Sequence, residues 1–212
     1  MILLSTAYFG NVQYFSKIIS GEKVLLEAHE SYTKQSYRNR CDILSSNGTI
    51  SLSIPIKKDE NRLKIPIREV EIDYSMDWQR QHWRSIVSAY SSSPYFEYFD
   101  YKFQDLFENK EKYLFDHNEK CLNRVLECMG IDATLEKTSN YIDNTEVDIL
   151  DYRETISPKK AKQQEDIYFN NIPYYQVFKE KFPFVENLSI LDLFFCEGRD
   201  SENILKSAYN KL

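Results

Sequence analysis

Residues 1–27 read MILLSTAYFGNVQYFSKIISGEKVLLE. Ile2 to Thr6, led by three consecutive apolar residues, is a run of the kind an interior strand needs. Ala7 to Gly10 is the turn that follows. Val12, Phe15, Ile18 and Ile19 then recur at helical spacing, with Asn11 placed to cap the helix and Gly21 to end it. Val24 to Leu26 is a second apolar run. Strand, short helix, strand is a βαβ unit, and such a unit makes a parallel pair with a right-handed crossover.

Further along, the pattern changes. Cys41–Ser45 and Thr49–Ile56 alternate around Ser46-Asn47-Gly48, which predicts a β-hairpin with Asn-Gly supplying positive φ angles. Lys57–Lys64 is a charged loop, and Ile67–Ile72 alternates again as another strand. Residues 1–74 therefore make a Rossmann-like βαβ start in a mixed sheet with a hairpin.

The remainder, 75–212, reads as mainly helical. Asp77 is expected to cap a helix from Trp78. Pro94 opens a second helix to Glu108, and Lys112–Met129 is a third with Gly130 as its stop. Ala133–Lys137 is one more strand. Residues 139–164 form a polar loop expected to be mobile. Tyr174–Phe182 and Leu188–Phe195 are predicted helices, the second capped by Asn187, and Ser201–Tyr209 closes the chain. The expectation is one α/β domain over residues 1–212.

Composition narrows the function classes. Of 212 residues 28% are charged and 42% hydrophobic, ordinary globular usage, and the net charge of −6 speaks against nucleic acid as a partner. Tyr (16) and Phe (13) are abundant, so the core or a pocket is ring-rich. With no apolar run long enough for a bilayer and no signal peptide, the chain reads as cytoplasmic and not membrane-inserted. The cysteines, Cys41, Cys121, Cys128 and Cys196, lack CxxC spacing. Cys41 follows Arg40, which would favour a thiolate, although a strand cysteine is usually inert. His29, His82 and His117 are far apart and no pair has HxxxH spacing, so no metal is expected. No cofactor signature is legible, and nothing fixes the oligomeric state.

Three stretches carry chemistry. In an open parallel sheet ligands sit beyond the carboxyl ends of the strands, here at Ser5, Thr6, Tyr8 and Asn11 and at Glu27, His29 and Glu30. The amino end of the Asn11 helix would point its N–H groups at an anion there. Next, Lys34-Gln35-Ser36-Tyr37-Arg38-Asn39-Arg40 places three cations in seven residues, suited to a phosphate or an acidic ligand, or to a solvated edge strand. Third, WQRQHWRSIVSAY (78–90) wound as a helix puts His82 and Gln79 in the middle of its apolar half. A polar partner must wait there, either a core hydrogen bond or a pocket.

Several blocks together resemble the WbqC-like family: STAYFGNVQYF, EAHESYTKQSYRNRCDI, SNGTISLSIPIKK, DWQRQHWRSIVSAYSSSPYFEYF and LSILDLFFCEG. The resemblance implies a place in O-antigen or other surface-polysaccharide synthesis, and a transferase that moves a small acyl or aminoacyl group, glycyl included, to a sugar carrier. In that reading the ligand is a small molecule such as a nucleotide-sugar or another anion. His82 is the general base; Lys34, Arg38 and Arg40 hold the anion; Tyr8, Gln13, Asn39, Trp78 and Gln79 bind substrate. Gly10-Asn11 stands where many relatives carry prolines. Two other readings stay open: a binding or assembly module whose partner surface is Tyr95, Phe96, Phe99 and Phe103, or a nucleotide-sugar-binding protein without a reaction.

Overall fold

A computed structural model describes residues 1–57, 64–143, 148–159 and 165–210. Strand β1 (Ile2–Ser5), helix α1 (Val12–Ile18) and strand β2 (Val24–Glu27) form the expected βαβ unit. β1 and β2 pair in parallel, Ile2 opposite Val24 through Ser5 opposite Glu27. Two short strands complete the sheet, also in parallel: β5 (Leu135–Lys137) beside β2 and β6 (Leu150–Asp151) beside β1. The order is β5-β2-β1-β6. Ile2, Leu3, Leu4, Val24 and Leu26 are all but fully buried, as strands covered on both faces require.

The hairpin β3 (Arg40–Ser45) and β4 (Gly48–Ser53) is a separate antiparallel sheet. Gly48 takes the positive φ (103°) that its turn needs, whereas Asn47 does not. Five further helices follow: α2 (Trp78–Tyr90), α3 (Phe96–Glu108), α4 (Leu114–Met129), α5 (Ile190–Glu197) and α6 (Ser201–Ala208). Gly130 closes α4 in the left-handed region (φ 74°).

Several expectations are corrected. Ile67–Ile72 is not a strand: Ile67–Glu69 is one 3-10 turn that buries Ile67 and Val70 on the same side, with single bridges from Glu71 and Ile72. The Asp77 side chain does not cap α2. Residues 174–182 make turns rather than a helix, because the Gln176 amide pairs with both backbone groups of Val185 and draws the chain back on itself. Ser189, not Asn187, caps α5, its Oγ 3.3 Å from Leu191 N. Most of the charged loop 57–64 and parts of the polar loop 139–164 lie outside the described residues; the described part of the latter contains β6.

The abundant rings form the core under the helices. Phe96, Phe99 and Phe103 of α3 pack on Phe194 and Phe195 of α5 at centroid distances of 4.8–6.0 Å. The proposed partner surface is therefore interior: Phe96 and Phe103 are buried, and Tyr95 and Phe99 are half-buried. α3 instead exposes Tyr98 and Tyr101. Gly198, after α5, faces the Tyr95 ring; a Cβ there would lie 2.6 Å from Tyr95 Cδ1, and its φ is +59°. We expect Gly198→Ala to cost about 2 kcal/mol or more in urea unfolding, from overpacking plus left-handed strain. Unchanged stability would mean that the α3–α5 contact is not held as tightly as described.

Candidate functional site

All four strands of the main sheet run the same way, so their carboxyl ends share one edge. From β1 the chain moves outward on one side to β2 and β5, and β6 lies on the other side. The direction reverses between β1 and β6, and a crevice opens there, the position at which open α/β sheets hold ligands. Ser5, Thr6, Tyr14 and Tyr37 line it with two guanidinium groups, Arg38 and Arg153. Its enclosed volume is about 10 Å³, room for roughly one water.

Arg38 is 4% exposed and its carboxylate partner Glu30 is 5% exposed. Nε donates to Glu30 Oε1 (2.8 Å), and Nη2 donates to Glu30 Oε2 (2.5 Å) and Ser5 Oγ (2.7 Å). Burial works against its charge, but Glu30 outweighs burial and raises the Arg38 pKa above its ordinary value. Among the described residues Nη1 has no acceptor, so two N–H groups remain for a ligand. The Asn118 amide of α4 donates to the Arg38 carbonyl (2.7 Å), and Glu154 lies 3.6 Å from Nη2.

Arg153 is held as firmly. Its Nε and Nη2 grip Asp151 at 2.7–3.1 Å, and Nη1 donates to Glu27 (3.1 Å). Glu27, fully buried at the end of β2, also accepts from the Thr138 hydroxyl, Ile142 N and His29 N. The exposed Tyr141 ring covers the Arg153 guanidinium at 4.8 Å. Thus carboxylates stand behind two guanidiniums that face the crevice, the support that fixes a fork in one orientation. Among the described residues no cluster suits a metal ion.

The model of the WbqC-like protein family matches residues 6–204. The chain belongs to that family. Over 129 residues it is 30% identical to the uncharacterized protein Rv1507c of Mycobacterium tuberculosis, covering 60% of this chain and 55% of that protein. The chain thus spans about half the length of the curated relative it matches. No solved structure matches it.

Two of the five familiar blocks of this WbqC-like chain meet at the crevice, but not all candidate residues do. Ser5, Thr6 and Tyr14 come from the first block; Glu27, Glu30, Tyr37 and Arg38 come from the second. The rest of the basic cluster disperses. Lys34 is exposed, Arg40 leans toward Asp42 (3.8 Å), and the Asn39 amide donates to the Ile54 carbonyl. Cys41 is no thiolate; burial pushes its pKa up. Gln13 donates to Asp166 (2.8 Å) behind α1. The amino end of α1 is not open to an anion: Val12, Gln13 and Tyr14 N–H groups donate to Leu188 O, Asn187 Oδ1 and Asn11 Oδ1. Asp151, Tyr152, Arg153 and Glu154 were not legible as site residues, because a two-residue strand in a polar stretch has no periodicity.

His82 stands apart from the crevice, in a buried cluster with Tyr8, Trp78 and His117. The Tyr8 hydroxyl is 3.0 Å from His82 Nδ1, and the Trp78 ring meets both imidazoles edge-on. Gln79 donates to the Asn109 carbonyl, and the Trp78 Nε1 is buried without an acceptor among the described residues. Burial, followed by the neighbouring His117, lowers the His82 pKa to about 4; burial likewise lowers that of His117 to about 4. Both rings are neutral at pH 7.

The unfolded chain protonates its imidazoles near their ordinary value and the fold only well below it, so stability is full above that value and falls with acidification. Between about pH 7.5 and about pH 5 each ring removes about 2 kcal/mol in urea unfolding, and His82→Phe abolishes its share of that loss. An unaltered pH slope in His82→Phe would contradict a buried neutral imidazole. Glu30→Gln strands the Arg38 charge and costs about 3 kcal/mol or more, whereas Glu30→Gln with Arg38→Met recovers most of it. Additive losses in that double-mutant cycle would mean that the two groups do not pair.

Proposed function

We propose that this WbqC-like chain is a cytoplasmic transferase of surface-polysaccharide synthesis that moves a small acyl or aminoacyl group, glycyl included, onto a sugar carrier. The carrier's anionic group, the diphosphate of a nucleotide-sugar in this reading, meets Arg38 at the outer edge of the crevice between β1 and β6, whose interior has room for only about one water. The observation that carries the proposal is the Arg38 guanidinium: buried, oriented by Glu30 and Ser5, and with both Nη1 hydrogens unclaimed by any described residue at the ligand end of the sheet. Thr6 adds a hydroxyl and Tyr14 and Tyr37 supply ring walls. Burial first of all raises the Tyr37 pKa to about 12, so it stays protonated.

The proton of the attacking amine or hydroxyl passes to a carboxylate. Glu154, half-exposed and 3.6 Å from Arg38 Nη2, is the carboxylate assigned to that step in this reading, in place of His82, which is tied to Tyr8. The acceptor's nitrogen or oxygen bonds to the acyl carbon as the bond to the donor's leaving group breaks. The ring face that would serve an assembly module is interior, which favours the enzyme over the module.

A thermal-shift screen tests this. A nucleotide-sugar raises the melting temperature of the natural chain by mass action and leaves the paired Glu30→Gln, Arg38→Met variant unmoved. An equal rise in both proteins, or no rise with any nucleotide-sugar, overturns the crevice as the carrier's site.

A further inference from the structure

A second cavity of about 330 Å³ lies between the end of α3 and the face of α4 that runs from His117 to Glu127. Nothing in the proposed transfer uses it. Its lining residues are mostly polar or charged, Asp105, Asn109, Glu111, Lys120 and Arg124 among them, but their aliphatic stems together with Leu106 leave its surface mixed, slightly more apolar than polar. His117 closes the floor and is 1% exposed. Its Nε2 lies 3.6 Å from Cys121 Sγ, a weak contact, and among the described residues its Nδ1 makes no hydrogen bond. An imidazole this buried with an idle nitrogen beside a cavity calls for a partner from outside the chain.

The wall charges say which partner. Arg124 clasps Asp105 with two bonds, Nη1 to Oδ1 (2.7 Å) and Nη2 to Oδ2 (2.9 Å). Lys120 is paired with Glu111, and Glu127 is shared by Arg124 (3.6 Å) and Lys102 (3.4 Å). With each cation already matched, an anion would have to break an ion pair to bind. A flat apolar ligand would meet Leu106 and aliphatic stems but leave the polar groups between them unmatched, whereas a sugar ring presents both C–H and O–H groups. What the walls do offer is closely mixed donors and acceptors, which hydroxyl groups satisfy in both senses. The volume is at the small end for a ligand site.

We infer that the α3–α4 cavity is a second binding site, for an uncharged polyhydroxylated ligand about one sugar ring in size, with His117 as its polar floor. The ring stays neutral at pH 7, so one nitrogen donates and the other accepts.

The test is ¹⁵N NMR of the histidine side chains during titration with glucose and with N-acetylglucosamine. The His117 ring signals move saturably and those of exposed His29 do not. Asn123→Trp, a substitution at an exposed lining position that fills the cavity without touching the core, abolishes the response at an unchanged melting temperature. By titration calorimetry, which needs no imidazole signal, His117→Gln weakens sugar binding about tenfold or more, the scale of one lost hydrogen bond, and unchanged affinity overturns the role of His117. Still signals with both sugars, a response that survives Asn123→Trp, or a response to inorganic phosphate in place of sugar would each overturn the inference.

Discussion

A guanidinium buried at 4% exposure is costly unless its charge is met, and in this chain everything near the ligand edge is arranged to meet the charge of Arg38. Its fork reaches Glu30 from the β2 end and Ser5 from the β1 end; its own carbonyl takes the Asn118 amide from α4. One residue, through side chain and carbonyl together, thus joins the parallel sheet, the approach to the hairpin and the helical half. A well-packed apolar residue would serve stability about as well. What the ion pair adds is orientation, and orientation is what a binding group needs. Arg153, braced by Asp151 and Glu27, repeats the arrangement on the other lip.

Much of the architecture is legible in the chain. The two apolar runs around the Asn11 helix specify β1, α1 and β2, and Ser-Asn-Gly specifies the hairpin turn. Placing His82 and Gln79 on the apolar face of α2 demands buried polar partners, and Tyr8 and the Asn109 carbonyl are those partners. What the periodicity could not show is which use the imidazole serves, since a core bond and a catalytic one impose the same pattern.

The crevice was half legible. Ser5, Thr6, Glu27 and Glu30 follow from the rule that ligands gather beyond strand ends. The other lip did not, because β6 is two residues long and its stretch is as polar as a solvated loop. Beyond its neighbour Asp151, Arg153 is met by Glu27, 126 positions earlier in the chain. Tertiary pairing of this kind leaves no local trace. The same holds for Lys17, fully buried on α1 against Asp166 (2.7 Å) and between the rings of Tyr152 and Tyr209 (4.6 Å each). Local patterning reads it as a surface lysine, but the fold uses it to hold Tyr152 at the wall of the crevice.

The most direct check on this account is the side-chain ¹⁵N signature of the arginines while a nucleotide-sugar is added. The Arg38 Nη signals should shift and sharpen as Nη1 gains an acceptor, with Arg40 and Arg124 unmoved. Movement of Arg40 or Arg124 with Arg38 silent would put the ligand elsewhere and leave the switch-point crevice as a feature of packing alone.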